Sequence, residues 1–231
     1  MQIFGLQKTT LLDYPGKLAS IIFTAGCNMN CPFCHNSELI TLPKSGSISE
    51  EEVLSHLKKR QSTLDGVVVT GGECTLQTDL VEFCQKIKAL GYAVKIDTNG
   101  LCPERIKELA SKNLVDYVAM DIKNSKEKYA LTCGKESINL NKLQESIDFL
   151  MENKINYEFR TTVISQYHNA SDMEEIGKWI QKAKALYLQP FKESDAVRAK
   201  NLTPPSKEDM LQYQQVLQNY IQHVEIRGMD L

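Results

Sequence analysis

Three cysteines within eight residues, Cys27, Cys31 and Cys34, are the part of this sequence best suited to chemistry. They stand in the run Cys27-Asn28-Met29-Asn30-Cys31-Pro32-Phe33-Cys34-His35-Asn36, with spacing C-x3-C-x2-C. Three thiolates in one tight loop suit a soft metal centre. A structural zinc ion takes four ligands. His35 could be the fourth only by contorting a loop in which it adjoins Cys34. A 4Fe–4S cluster also takes four protein ligands when it only transfers electrons. Held by three, it keeps one iron open, and an open metal position is what a substrate-binding catalytic centre needs.

A second group is Gly71-Gly72-Glu73. Two glycines let a backbone approach a ligand with no Cβ in the way, and the Glu73 carboxylate can accept from an ammonium group. Further along come Asp97-Thr98-Asn99-Gly100 and Asp121-Ile122-Lys123. Asp97 also suits an Asx-type turn before Asn99-Gly100.

These groups need a frame. The periodicity predicts six strand-helix units with no low-complexity linker. Strands are expected at 19–24, 66–70, 92–97, 117–121, 156–164 and 185–189. Helices are expected from Ser49, along the apolar stripe Leu80, Phe83, Cys84, Ile87 and Leu90, and near 103–112, 140–152, 171–184 and 206–221. Ser49 with Glu52 has capping-box spacing. The tail at 224–227 reads as a short closing strand. Such alternation argues for an α/β fold with a parallel sheet and right-handed crossovers, as one domain over 1–231. It leaves open an incomplete barrel or a doubly wound sheet. In either, ligand sites fall at the C-terminal ends of the strands, where all four polar groups stand.

Composition narrows the setting. The chain has 231 residues, 42% of them hydrophobic and 24% charged, which suits an ordinary globular protein. A formal charge of −2 gives no electrostatic case for nucleic acid or a lipid surface. Seven cysteines, an odd count, with no export signal read, predict the reducing cytoplasm and no disulfide framework. Cys84 is expected in the core and Cys74 packed within its turn. Cys102 and Cys133 lie in loops without C-x2-C spacing. His56, His168 and His223 read as surface residues, and Trp179 as core.

The cysteine loop, with Phe33 before its last cysteine, resembles the signature of the radical S-adenosylmethionine (SAM) enzymes. The resemblance implies a partial (β/α)6 barrel of TIM-like type. It also implies a 4Fe–4S cluster on Cys27, Cys31 and Cys34 that reductively cleaves SAM to a 5′-deoxyadenosyl radical. Gly71, Gly72 and Glu73 would meet the cofactor, Glu73 through its amine.

Asp13-Tyr14-Pro15-Gly16, Cys34-His35-Asn36, Asp97-Thr98-Asn99-Gly100 and Asp121-Ile122-Lys123 recur in the same order in the activating enzymes of glycyl radical enzymes, to which nearly the whole chain is similar. By that resemblance Phe33, His35, Asp97, Asn99, Lys123 and Arg160 also line the cofactor. Asp97, Thr98 and Asp121 would hold a monovalent cation. Arg160 equally suits a structural ion pair. Gln189-Pro190-Phe191-Lys192 departs from the pattern, since a pyruvate formate-lyase activase places a His there.

The implied partner is anaerobic ribonucleoside-triphosphate reductase, with flavodoxin or ferredoxin as electron donor. The alternatives are a pyruvate formate-lyase type of partner or a small metabolite, as in 7-carboxy-7-deazaguanine synthase. A non-catalytic iron–sulfur sensing protein would leave Glu73 and Lys123 without a purpose.

Overall fold

Eight strands alternate with seven helices in the computed structural model, which describes residues 1–152 and 155–229. The strands are β1 (Ile3–Thr10), β2 (Ala19–Thr24), β3 (Gly66–Gly71), β4 (Ala93–Thr98), β5 (Tyr117–Asp121), β6 (Asn156–Val163), β7 (Leu186–Pro190) and β8 (Val224–Ile226). The helices are α1 (Glu50–Lys59), α2 (Leu80–Ala89), α3 (Pro103–Ser111), α4 (Tyr129–Thr132), α5 (Leu140–Glu152), α6 (Ala170–Trp179) and α7 (Lys207–Gln218). Strand order in the sheet follows chain order. Strands β2 to β7, each followed by helix, are the six expected units.

The fold departs from the sequence expectation at its start. β1 was not expected, and it pairs antiparallel with β2, from Ile3 opposite Thr24 to Thr10 opposite Ala19. Its middle is half-exposed to exposed, so it lacks the continuous apolar run that marks the covered parallel strands. The closing strand β8 is present and runs parallel to β7.

Two compact units can be described separately along the chain. The first comprises mainly residues 1–28 and 38–119. Within it β2, β3 and β4 run parallel, with Ala19 opposite Gly66 and Gly66 opposite Ala93. Val67, Val68 and Val69 have no exposed surface, as a parallel strand covered on both faces requires. Tyr14, Ala19, Ile21 and Val68 form a buried cluster, with Phe23, Ala93 and Tyr117 packed against it. The register aligns Thr24 with Gly71, so β2 and β3 end together at the edge where the polar groups follow.

The second unit comprises mainly residues 29–37, 120–152 and 157–229. Here β6, β7 and β8 run parallel, with Phe159 opposite Leu186 and Leu186 opposite Val224. α6 and α7 both start with reciprocal capping boxes, Asn169 with Asp172 and Ser206 with Asp209. At α1 the Ser49 side chain accepts from the Glu52 amide, the first half of the expected box. No described helix is long and apolar enough to cross a membrane.

Candidate active site

In the first unit the site is built where β2, β3 and β4 end. Gly72 N–H donates to Thr24 O at 2.8 Å and Glu73 N–H to Gly26 O at 2.8 Å, stitching the Gly71-Gly72-Glu73 turn to the chain just before Cys27. Both glycines are demanded by that closeness. A Cβ on Gly71, whose φ is +117°, would lie 2.2 Å from Thr24 O, and one on Gly72 would lie 2.4 Å from Gly26 O. Here the glycines seat backbone on backbone.

Glu73 is 1% exposed and caps the short 3-10 turn Cys74–Leu76. Its Oε1 accepts from Thr75 N (3.1 Å), Thr75 Oγ1 (2.5 Å) and Thr98 Oγ1 (2.8 Å), and its Oε2 from Asn99 N (2.6 Å). Burial pushes its pKa up, and these hydrogen bonds only partly oppose that. A carboxylate can accept at about four lone-pair sites, so Oε2 retains capacity for a further donor. Thr98 Oγ1 also accepts from Gly100 N at 3.1 Å.

Asn99 Nδ2 donates to Asn28 Oδ1 at 2.7 Å and lies 4.0 Å from Cys27 Sγ. Its Oδ1 accepts from Leu101 N at 3.1 Å, an Asx turn made by Asn99, two residues after Asp97, the residue for which such a turn was expected. Asp97 Oδ1 accepts from Lys95 Nζ at 2.5 Å, and the Asp97 carbonyl from Cys74 Sγ at 3.3 Å. Cys74 is fully buried, as its packing role requires, and burial keeps its thiol protonated. Cys84 is buried in α2 as expected.

In the second unit the rest of the cysteine loop closes a turn, with Cys34 N donating to Cys31 O at 3.2 Å. Asn30 N donates to Cys133 O at 2.9 Å. Cys133, expected in a loop, is the C-cap of α4 and fully buried. A hydrogen bond from its side chain is the main reason the Cys31 thiol is lowered to about 7. Burial opposes this and the Lys123 charge assists it. Burial pushes the Cys34 thiol up. Phe33 is 3% exposed and packs on Tyr167, ring centroids 6.2 Å apart. His35 Nε2 lies 2.7 Å from Lys192 O and its ring 5.7 Å from Phe191, so it meets the segment where the sequence departs from the activase pattern.

Asp121 ends β5 between two cations, Lys123 Nζ at 2.7 Å and Arg160 Nε at 3.0 Å. Burial would raise its pKa, but the Lys123 and Arg160 charges outweigh it and hold the carboxyl at about 2. Arg160 thus forms the ion pair that was one of its two expected roles. His168 is not a surface residue; it is 3% exposed. Its Nδ1 accepts from Ile164 N at 3.1 Å, which places the ring proton on Nε2, 2.9 Å from the Lys123 carbonyl. This neutral tautomer anchors the turn carrying Lys123. Trp179 is half-buried, edge-on to Tyr129 at 5.7 Å.

The donor chemistry fits a thiolate-bound cluster. None of the seven cysteines is in a disulfide, and one thiol of the loop is shifted toward its ligating form. A buried carboxylate with acceptor capacity and a Cβ-free turn stand beside Cys27.

The chain belongs to the radical SAM superfamily, enzymes that use a 4Fe–4S cluster and SAM; the superfamily pattern matches residues 21–180. Within it, the likeness narrows to the activating enzymes of glycyl radical enzymes. The chain is 34% identical, over 99% of its length and 96% of the relative's, to a Methanocaldococcus jannaschii protein provisionally named a glycyl-radical enzyme activating enzyme. It is 24% identical to the pyruvate formate-lyase-activating enzyme of Clostridium pasteurianum, over 82% of each chain. SuiB of Streptococcus suis, solved bound to SAM, superposes with a TM-score of 0.68 at 12% identity, over 87% of this chain and 48% of SuiB. That likeness shows the shared fold, and this chain spans about half of SuiB.

Proposed function

We propose that this protein activates a glycyl radical enzyme, with anaerobic ribonucleoside-triphosphate reductase as its partner and a flavodoxin or ferredoxin as electron donor. The observation that carries this reading is the 34% identity over 99% of the chain to a protein named for that activity. The order of the four motifs along the sequence supports a glycyl radical enzyme as partner, and the overall resemblance of the chain to the activating protein of the reductase puts that enzyme first. The similarity to a pyruvate formate-lyase activase favours a second partner class, a pyruvate formate-lyase type of enzyme.

In this reading Cys27, Cys31 and Cys34 hold the cluster and leave one iron to SAM. When bound, the cluster supplies the electron that breaks a sulfonium C–S bond of SAM. Gly71 and Gly72 let the turn seat on the backbone before Cys27, and so set where its backbone and Glu73 meet SAM. Glu73 takes its ammonium on Oε2, which also removes the desolvation penalty on the buried carboxylate. Phe33, His35, Asp97 and Asn99 line the cofactor. Lys123 and Arg160, held on Asp121, present N–H donors to its carboxylate.

The test is anaerobic. Chain, dithionite and SAM are mixed with the reductase and, separately, with a pyruvate formate-lyase, and electron paramagnetic resonance is recorded. A glycyl doublet on the reductase is expected. A doublet only on the lyase moves the assignment to the second class. SAM cleavage with no protein radical on either removes both.

A further inference from the structure

Lys95 is out of place for a central parallel strand. It is 1% exposed in β4, opposite Val68 of the buried cluster. An ammonium so buried is tolerated only when paired. Its partner is Asp97, two residues on and so on the same strand face, with Nζ 2.5 Å from Oδ1. The neighbouring Thr98 hydroxyl is committed twice, donating to Glu73 and accepting from Gly100. In the second unit both Asp121 oxygens take protein cations, Lys123 and Arg160. Each of the three residues that the sequence resemblance assigned to a monovalent ion is therefore engaged, through at least one side-chain oxygen, by the chain's own donors.

We propose that Lys95 is a positioning residue: its ammonium is the standing counter-charge of Asp97, and the cofactor site is completed without a monovalent metal ion. The inference rests on the reading of Asp97 as a residue beside SAM. A metal ion drawn to Asp97 would meet the Lys95 charge at comparable range, and that repulsion offsets its attraction to the carboxylate. Removing the ammonium leaves the partly buried Asp97 carboxylate with a void beside it, which a small cation can fill.

The experiment compares potassium, sodium and tetramethylammonium chloride at equal ionic strength. It reads thermal unfolding of the full chain as isolated, and SAM affinity of the reconstituted chain by calorimetry. Wild-type affinity is expected to agree within about twofold across the three salts. Lys95→Met is expected to lose about tenfold in affinity in tetramethylammonium and to recover at least about fivefold in potassium or sodium, by mass action at the vacated position. Its unfolding temperature should rise in the same two salts.

A wild-type affinity that rises fivefold or more on replacing tetramethylammonium overturns the proposal. So does a Lys95→Met chain that matches wild type in every salt, or one whose loss no cation repairs. If Lys95→Met does not fold, Lys95→Met/Asp97→Asn, which removes both charges, should fold and unfold at one temperature in all three salts. Salt-selective stabilisation of that double variant also overturns it. The unfolding arm needs no cluster, SAM or partner, so it stands apart from failure of the activase reading.

Discussion

Asn99 Nδ2 donates to Asn28 Oδ1 at 2.7 Å, joining the residue after Cys27 to the end of β4. The first cysteine of the loop is thereby tied to the strand end that also feeds Glu73 a backbone N–H. Replacing Asn99 with Ala removes this tie and the Asx turn at Leu101 together. Stability should fall by about 1–3 kcal/mol in urea unfolding, the range for buried groups left unpaired. Iron retained after desalting should fall with it. Retention equal to wild type would show that the tie does not steady Cys27.

Glu73→Gln keeps the shape of the side chain and removes its charge. An amide nitrogen then faces donors on one oxygen's side, so a stability loss of about 1–3 kcal/mol is expected. SAM affinity should fall about tenfold or more, since a charge-assisted hydrogen bond to the ammonium is lost. Calorimetry on the reconstituted chain measures it. Equal affinity in the two chains would take Glu73 out of the cofactor site.

Two glycines with different surroundings separate space from conformation. Gly72→Ala puts a Cβ 2.4 Å from the Gly26 carbonyl, whereas at Gly91, with φ +87°, nothing lies within 4 Å. The first change requires backbone movement beside Cys27. It should cost about 1–3 kcal/mol and lower iron retention. The second carries only left-handed strain, about 1 kcal/mol, with iron unaffected. Denaturation midpoints and iron analysis of both variants provide the comparison.

His168 gives the fold a pH dependence of known sign. Burial lowers its pKa in the folded chain, against the pull of its backbone hydrogen bonds and Asp172. The ordinary value is about 6.5, so the unfolded chain binds the proton first as pH falls. The contribution of neutral His168 is therefore present above about pH 6.5 and is lost below it, by up to about 1.4 kcal/mol per pH unit. His168→Gln should flatten the stability profile between pH 6.5 and 5. A slope there identical to wild type would mean another group sets it.

What could be read from the sequence was local. The C-x3-C-x2-C loop, the Gly-Gly-Glu turn and the six strand-helix units depend on spacing within short windows, and the structure contains those elements. β1 escaped because an antiparallel edge strand with a half-exposed middle shows neither a clean alternation nor a long apolar run. α4 is four residues long, below any periodic signal. His168 looked exposed because its partners, Ile164 and the Lys123 carbonyl, are backbone groups that no side-chain pattern reports. The Cys31–Cys133 hydrogen bond joins residues about a hundred positions apart. Lys95 was legible as a lysine within an apolar strand, yet its pairing with Asp97 became evident only once both were placed on one face.

The stretch around Cys31 has one more implication. Its backbone is already latched, by the Asn30 amide on the Cys133 carbonyl at 2.9 Å and by the turn from Cys34 to Cys31 at 3.2 Å. A peptide that is ordered in advance loses little conformational freedom when something docks there. The expense of freezing that segment is thus met when the polypeptide folds, and cofactor loading starts from a receptacle partly shaped beforehand.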